Sequence, residues 1–157
     1  MKVYLVHHAH AVTAEENPAR PLSDQGRIES DRLGDRLKAV GAAPIRILHS
    51  EKLWTQQTAE RIGDRLGLRD RVTLAKYGIG TGDDLTPFMK EIESAGGDLM
   101  MAGHVDYLVR SAARLLCGDE GRMGVEFKPG NGTVFCLEGS GNRWAVTWGW
   151  RQDQLAA

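Results

Sequence analysis

The sequence predicts an α/β fold: a three-layer α/β/α sandwich around a mainly parallel sheet, with antiparallel strands at its C-terminal edge. Three observations lead there. From residue 2 to about residue 117, short apolar runs alternate with longer amphipathic stretches, the order β-α-β-α-β-α-β-α. Helical crossovers between strands imply parallel neighbours with helices on both faces. Beyond residue 117 the pattern changes to strand-like alternation broken by Gly- and Asn-containing turns, the mark of hairpins. Finally, all five histidines follow the predicted ends of strands, so the topology gathers them at one end of the sheet, where α/β proteins hold their ligands.

The elements follow in order. Lys2–Val6 is mostly β-branched, aromatic and apolar, a strand buried on both faces, and it runs into His7, His8 and His10. Residues 12–22 carry two prolines and no periodicity, a loop leaving that strand. Ser23 or Asp24 caps a first helix with Ile28, Leu33, Leu37 and Val40 as its apolar stripe and Gly41 at its stop. Ile45–His49 is a second strand, and a second helix runs from about Glu51 to Leu66 with Trp54, Thr58, Ile62 and Leu66 on one row. Arg71–Ala75 forms a third strand, and Asp83 and Asp84 open a helix to about Ala95 as cap and first-turn residues. Asp98–Ala102 is a fourth strand ending in Gly103-His104, and a helix follows from about Asp106, which caps it, to Cys117. Val125–Lys128, the turn at residues 129–132 and Thr133–Glu138 read as a hairpin, and Arg143–Trp150 as a further strand on which Trp144, Trp148 and Trp150 alternate for packing.

Composition narrows the function classes. At 157 residues the length prior gives one domain, residues 1–157, large enough for a real core. A net charge of −1, with basic residues scattered along helical patterns, offers nothing to recruit nucleic acid or an anionic membrane. No apolar run approaches spanning length and no signal peptide opens the chain, so the expected location is cytoplasmic, with Cys117 and Cys136 as reduced core thiols. The glycine-rich turns at 78–82 and 129–132 are too short and patternless to cradle phosphate.

The chemistry lies with the histidines. Neutral imidazole is a nucleophile and a metal ligand, and protonated imidazole is a phosphate donor. Four stretches resemble the histidine phosphatase superfamily. Leu5-Val6-His7-His8-Ala9-His10-Ala11 is similar to its opening Arg-His-Gly/Ala motif, and Arg20-Pro21-Leu22-Ser23-Asp24-Gln25-Gly26 to its Arg-Pro-Leu-Thr-x-x-Gly. Leu48-His49-Ser50 with Gln57-Thr58-Ala59 resembles its Ser-Pro-x-x-Arg-Ala-x-Gln-Thr stretch, and Gly103-His104 its second histidine. The matches run in order from residue 2 to about 116, and the length resembles the short SixA-type phosphohistidine phosphatases.

The resemblance implies that His8 attacks the phosphoryl group and carries it as phosphohistidine, with His104 as the second catalytic histidine and no cofactor. It also implies two arginines on the phosphoryl oxygens, whose planar forks suit that task. The sequence departs at both. The first is His7 and the second is Trp54, while the motif's proline is Glu51. His7, Arg20 and Trp54 are therefore the candidate phosphate-binding residues, with Arg20 a remaining cation on a loop long enough to reach the pocket. The partners expected are a phosphorylated protein or a small phosphate ester.

Three readings follow. The first is a phosphohistidine phosphatase-like hydrolase with a degenerate pocket. The second is an inactive member that binds a phosphorylated protein or another ligand. The third is a metal site on His8 and His104 with His7, His10 or His49, since imidazole suits zinc-like ions.

Overall fold

The computed structural model describes residues 1–127 and 131–156. Its centre is β1 (Lys2–His7), whose side chains alternate between two cores. Val3 and Leu5 point into one, Tyr4 and Val6 into the other, because successive strand residues face opposite sides of a sheet. That is why its buried centre, Val3 to Val6, carries no charged residue. The sheet has six strands, β1 with β2 (Arg46–His49), β3 (Val72–Leu74), β4 (Leu99–Gly103), β5 (Val134–Ser140) and β6 (Arg143–Trp150), in the order β3-β2-β4-β1-β5-β6. The β3-β2-β4-β1 part is parallel, and β5 and β6 continue it antiparallel.

Helices cover both faces. On one, α1 (Asp24–Ala39) and α2 (Leu53–Leu66) bring Leu33, Leu37, Ala59 and Ile62 onto Tyr4, Val6, Ile47 and Met100. On the other, α3 (Thr86–Ser94) and α4 (Val105–Cys117) bring Phe88, Ile92, Tyr107 and Leu108 onto Val3, Leu5, Leu48 and Met101. A one-turn α5 (Gln152–Leu155) returns to α1. The α/β three-layer architecture is thus as the sequence predicts.

Several boundaries differ, each for a local reason. In α1 the apolar stripe is narrower than predicted: Leu33 and Leu37 are buried, but Ile28 and Val40 are 51% and 45% exposed. Glu29 and Ser30 take their place inside, since Glu29 accepts the His10 backbone N–H at 2.8 Å. Helix α3 starts at Thr86, not Asp83: the Asp83 carboxylate accepts from the Gly80 amide at 2.7 Å and tightens the preceding turn, while Asp84 accepts from the Thr86 amide at 2.9 Å. Asp106 sits in the first turn of α4, whose N-cap is His104, and it accepts from the Gly82 amide at 3.0 Å.

At the C-terminal edge the hairpin is β5–β6. Both sides of β5 are occupied, by β1 and β6, so residues 125–127 have no strand to join and instead bury Val125 and Phe127. Residues 128–130, the end of the predicted strand and the start of the predicted turn, lie outside the described residues. The tryptophans do not share a face. A bulge opposite Cys136 and Leu137 inserts an extra residue in β6, so Trp148 and Trp150 stack at 4.2 Å on the Tyr4 side while Trp144 packs on the other. Cys136 is buried, but Cys117 at the end of α4 is exposed rather than in the core; both are free thiols. Among the described residues, no helix is long and apolar enough to cross a membrane.

Candidate active site

Parallel pairing of β1 with β4 puts His7 opposite Gly103, and pairing of β2 with β4 puts His49 opposite Ala102. All five histidines therefore lie at one end of the sheet, as the alternation implies. They divide into two groups. His10 and His49 are engaged locally: His10 Nδ1 lies 2.7 Å from the hydroxyl of Ser23, and His49 Nδ1 donates to the Ser50 carbonyl at 2.7 Å. His8 and His104 come together with ring centroids 5.8 Å apart. His7 meets His8 edge-on at 4.6 Å. Among the described residues no three His, Cys, Asp or Glu side chains are grouped to hold a metal ion.

The His8 ring is fixed from its Nδ1 side. That nitrogen lies 2.9 Å from the Ala9 carbonyl oxygen, which can only accept, so Nδ1 carries the proton and Nε2 of the neutral ring keeps a lone pair. Burial pushes the His8 pKa down to about 4, assisted by the positive charges that His7, His104 and Arg20 would present; the Ala9 bond opposes the shift. His104 is also pushed down by burial, while Glu51 and Asp83 hold it up and Lys52 lowers it further. Both rings are neutral at pH 7.

An imidazole NMR titration should give His8 a midpoint near 4, against about 6.5 for a free histidine. The unfolded chain takes up this proton near 6.5 and the folded one resists until about 4, so His8 makes stability fall as pH drops through that interval. A midpoint at or above 6.5 would show the ring to be solvated.

A hydroxyl network ties the histidine loops to α2. Thr58 Oγ1 accepts from the Ala9 amide at 3.0 Å and donates to the Trp54 carbonyl at 2.7 Å. Gln57 Oε1 accepts from the Leu22 amide at 2.8 Å. Ser50 Oγ lies 3.0 Å from His104 Nε2 and 2.7 Å from Thr55 Oγ1, and accepts from the Lys52 amide at 3.2 Å. The sequence does not single these residues out: Thr58 reads as one member of a row with Trp54, Ile62 and Leu66, and only its place beside Gln57 in the motif marks it.

Trp54 turns into the site. Its ring lies 6.1 Å from His8 and 6.2 Å from His104, with the Arg20 guanidinium 4.5 Å above it. Arg20 is anchored by Nε on the Val12 carbonyl at 3.0 Å and has φ +50, the sole positive value for a non-glycine among the described residues. Glu51 stays at the surface, 71% exposed. A cavity of about 260 Å³ opens beside His104, between Glu51, Lys52, Gly80, Thr81 and Asp83. A larger one of about 560 Å³ lies among Met89, Ile92, Leu116 and Trp144 and contains no histidine. Helices α2 and α4 both begin at the site, after Lys52 and His104, with no side-chain cap on either. Their N-terminal dipoles favour an anion there.

No family model and no curated protein matches the chain. Solved structures do. The protein histidine phosphatase SixA complexed with tungstate superposes with a TM-score of 0.84 at 20% identity, covering 99% of each chain. A putative phosphohistidine phosphatase SixA from Agrobacterium tumefaciens gives 0.73 at 17% identity over 96% of this chain and 97% of its own. A putative alpha-ribazole-5'-P phosphatase from Escherichia coli gives 0.69 at 15% identity over 93% and 94%. The architecture built around His8 and His104 is therefore the fold of the solved SixA-type phosphohistidine phosphatases.

Proposed function

We propose that the chain is a phosphohistidine phosphatase-like hydrolase that works through a phosphohistidine on His8, with a weakened phosphate clamp. The observation that carries this reading is the state of His8: Nδ1–H is spent on the Ala9 carbonyl, burial keeps the ring neutral, and the Nε2 lone pair is left for attack. In the first step Nε2 bonds to phosphorus, the bond to the leaving nitrogen or oxygen breaks, and the leaving group takes a proton from solvent. Water then attacks phosphorus, the N–P bond breaks, phosphate departs and His8 is restored. The fold relatives support the substrate class, a phosphorylated protein or a small phosphate ester. The clamp is weak because each missing donor to a charge-dispersed transition state typically costs about 10²–10³ in rate.

The test is turnover of a phosphohistidine peptide and an aryl phosphate by wild type and His8→Ala, with acid-labile phosphate trapped on the protein. Slow wild-type turnover and a trapped label, both absent in the variant, are expected. Equal rates in the two proteins would refute the reading.

The Trp54 ring, standing beside both histidines with Arg20 stacked on it, favours a second reading, a site that binds a phosphorylated partner without turnover. A His8-dependent complex with no released phosphate would mark that case.

A further inference from the structure

The clamp positions of the family motif hold His7 and Trp54, yet Trp54 brings two cations to the site. Arg20 Cζ lies 4.5 Å from its ring centroid and Lys52 Nζ 6.0 Å. The charge of Arg20 lies near enough to His8, and that of Lys52 to His104, to push the ring's pKa down. Lys52 also lines the cavity beside His104. Its backbone is placed from the same hydroxyl that holds the histidine, since Ser50 Oγ takes the Lys52 amide at 3.2 Å and lies 3.0 Å from His104 Nε2.

We propose that Lys52 is a phosphoryl-oxygen ligand on the His104 side of the site, standing in with Arg20 for the two arginines that His7 and Trp54 replace. The proposal rests on the phosphoryl-transfer reading above. Trp54 is then the platform that keeps both cations near the histidines, each over or beside an electron-rich ring. In the free protein Lys52 leans on Glu51 at 3.8 Å, with its own side chain half exposed. Such a surface pair contributes little and is readily exchanged for a doubly charged anion that accepts charge-assisted hydrogen bonds. A lysine on a flexible stem reaches the oxygens as a point charge and lacks the planar fork of arginine, so it holds phosphate without fixing its orientation. Glu51 acts against it, as a negative charge beside the cavity and a competitor for the ammonium.

The test is isothermal titration of tungstate, a tetrahedral oxyanion, into wild type, Lys52→Gln, Lys52→Arg, Glu51→Gln, His8→Ala and, as a control for net charge, Lys90→Gln on the exposed side of α3. Lys52→Gln should weaken binding about five- to tenfold, and Lys52→Arg should stay within about twofold of wild type. Glu51→Gln should tighten binding about twofold or more, and Lys90→Gln should change it little. Wild-type affinity in Lys52→Gln, with His8→Ala still impaired, would overturn the role of Lys52 alone. An equal loss in Lys90→Gln would do the same, by reducing the effect to net charge. No tungstate binding that depends on His8 would remove the phosphoryl site itself and this inference with it.

Discussion

Arginine placed at positions 7 and 54 together should raise phosphatase turnover about 10²–10³-fold or more over wild type. On the proposed mechanism His8 and its partner His104 already stand together, while the donors for the transition-state oxygens are indirect. Nε2 of His8 is unprotonated and the ring of His104 stands 5.8 Å away. Opposite them is a ring with a single N–H, carrying cations on its face rather than presenting forks to the phosphate. The double variant replaces that arrangement by two direct bidentate donors. The gain should appear in kcat more than in KM, since such donors act most on the charge that develops in the transition state. Each single variant should give a smaller gain, because one guanidinium alone supplies only one of the two direct donors. If the double variant, folded by circular dichroism, stays as slow as wild type, the loops have changed beyond the clamp, and the binding reading gains at the expense of the hydrolase.

The largest effect on stability is expected from Gly26→Ala, at about 3 kcal/mol or more. Alanine is ordinarily welcome in a helix, so the sign here is set by packing. A methyl group at Gly26 would run into the His10 carbonyl, with the carbonyl carbon only 2.9 Å away. Backbone cannot swing aside as a side chain can, so α1 would have to move off the histidine loop. That movement would break the Ser23 cap, whose Oγ accepts from the Gly26 amide at 3.1 Å, and the Glu29 contact to the His10 amide. A thermal melt should fall by about 6–12 °C for a chain of this length. Gly41→Ala is the control: nothing stands near its added carbon and only its φ of +74 resists, at about 1 kcal/mol. Melting points equal to wild type in Gly26→Ala would mean that α1 is not docked against the loop as described.

The fold was legible because its signals are local and repeated. A strand such as Lys2–His7 that faces two cores must be apolar across its buried centre, Val3 to Val6, and helices that face one core must be striped, so the alternation of the two patterns spells out the layers. The convergence of the histidines followed from the same logic, since only parallel strands put all their C-terminal ends together. Illegible were contacts between residues far apart in sequence whose side chains follow no period. Glu29 belongs to a polar position in any helical wheel, yet it is buried because the His10 amide needs an acceptor. Lys52 precedes its helix and reads as an ordinary surface cation; nothing in the spacing reveals that it shares a hydroxyl with His104. The face on which Trp144 packs was hidden by a bulge that no residue type announces.

The hydroxyl of Thr58 joins the Ala9 amide to the carbonyl of residue 54, and neither end of that link involves a side chain at 54. Whatever residue the codon there specifies, the loop that carries His8 stays pinned to α2. The scaffold would therefore accept arginine at 54 without being rebuilt. In the standard genetic code a tryptophan codon and a histidine codon each become arginine through a single base substitution, so the lineage that carries this chain stands only two point mutations from a full clamp.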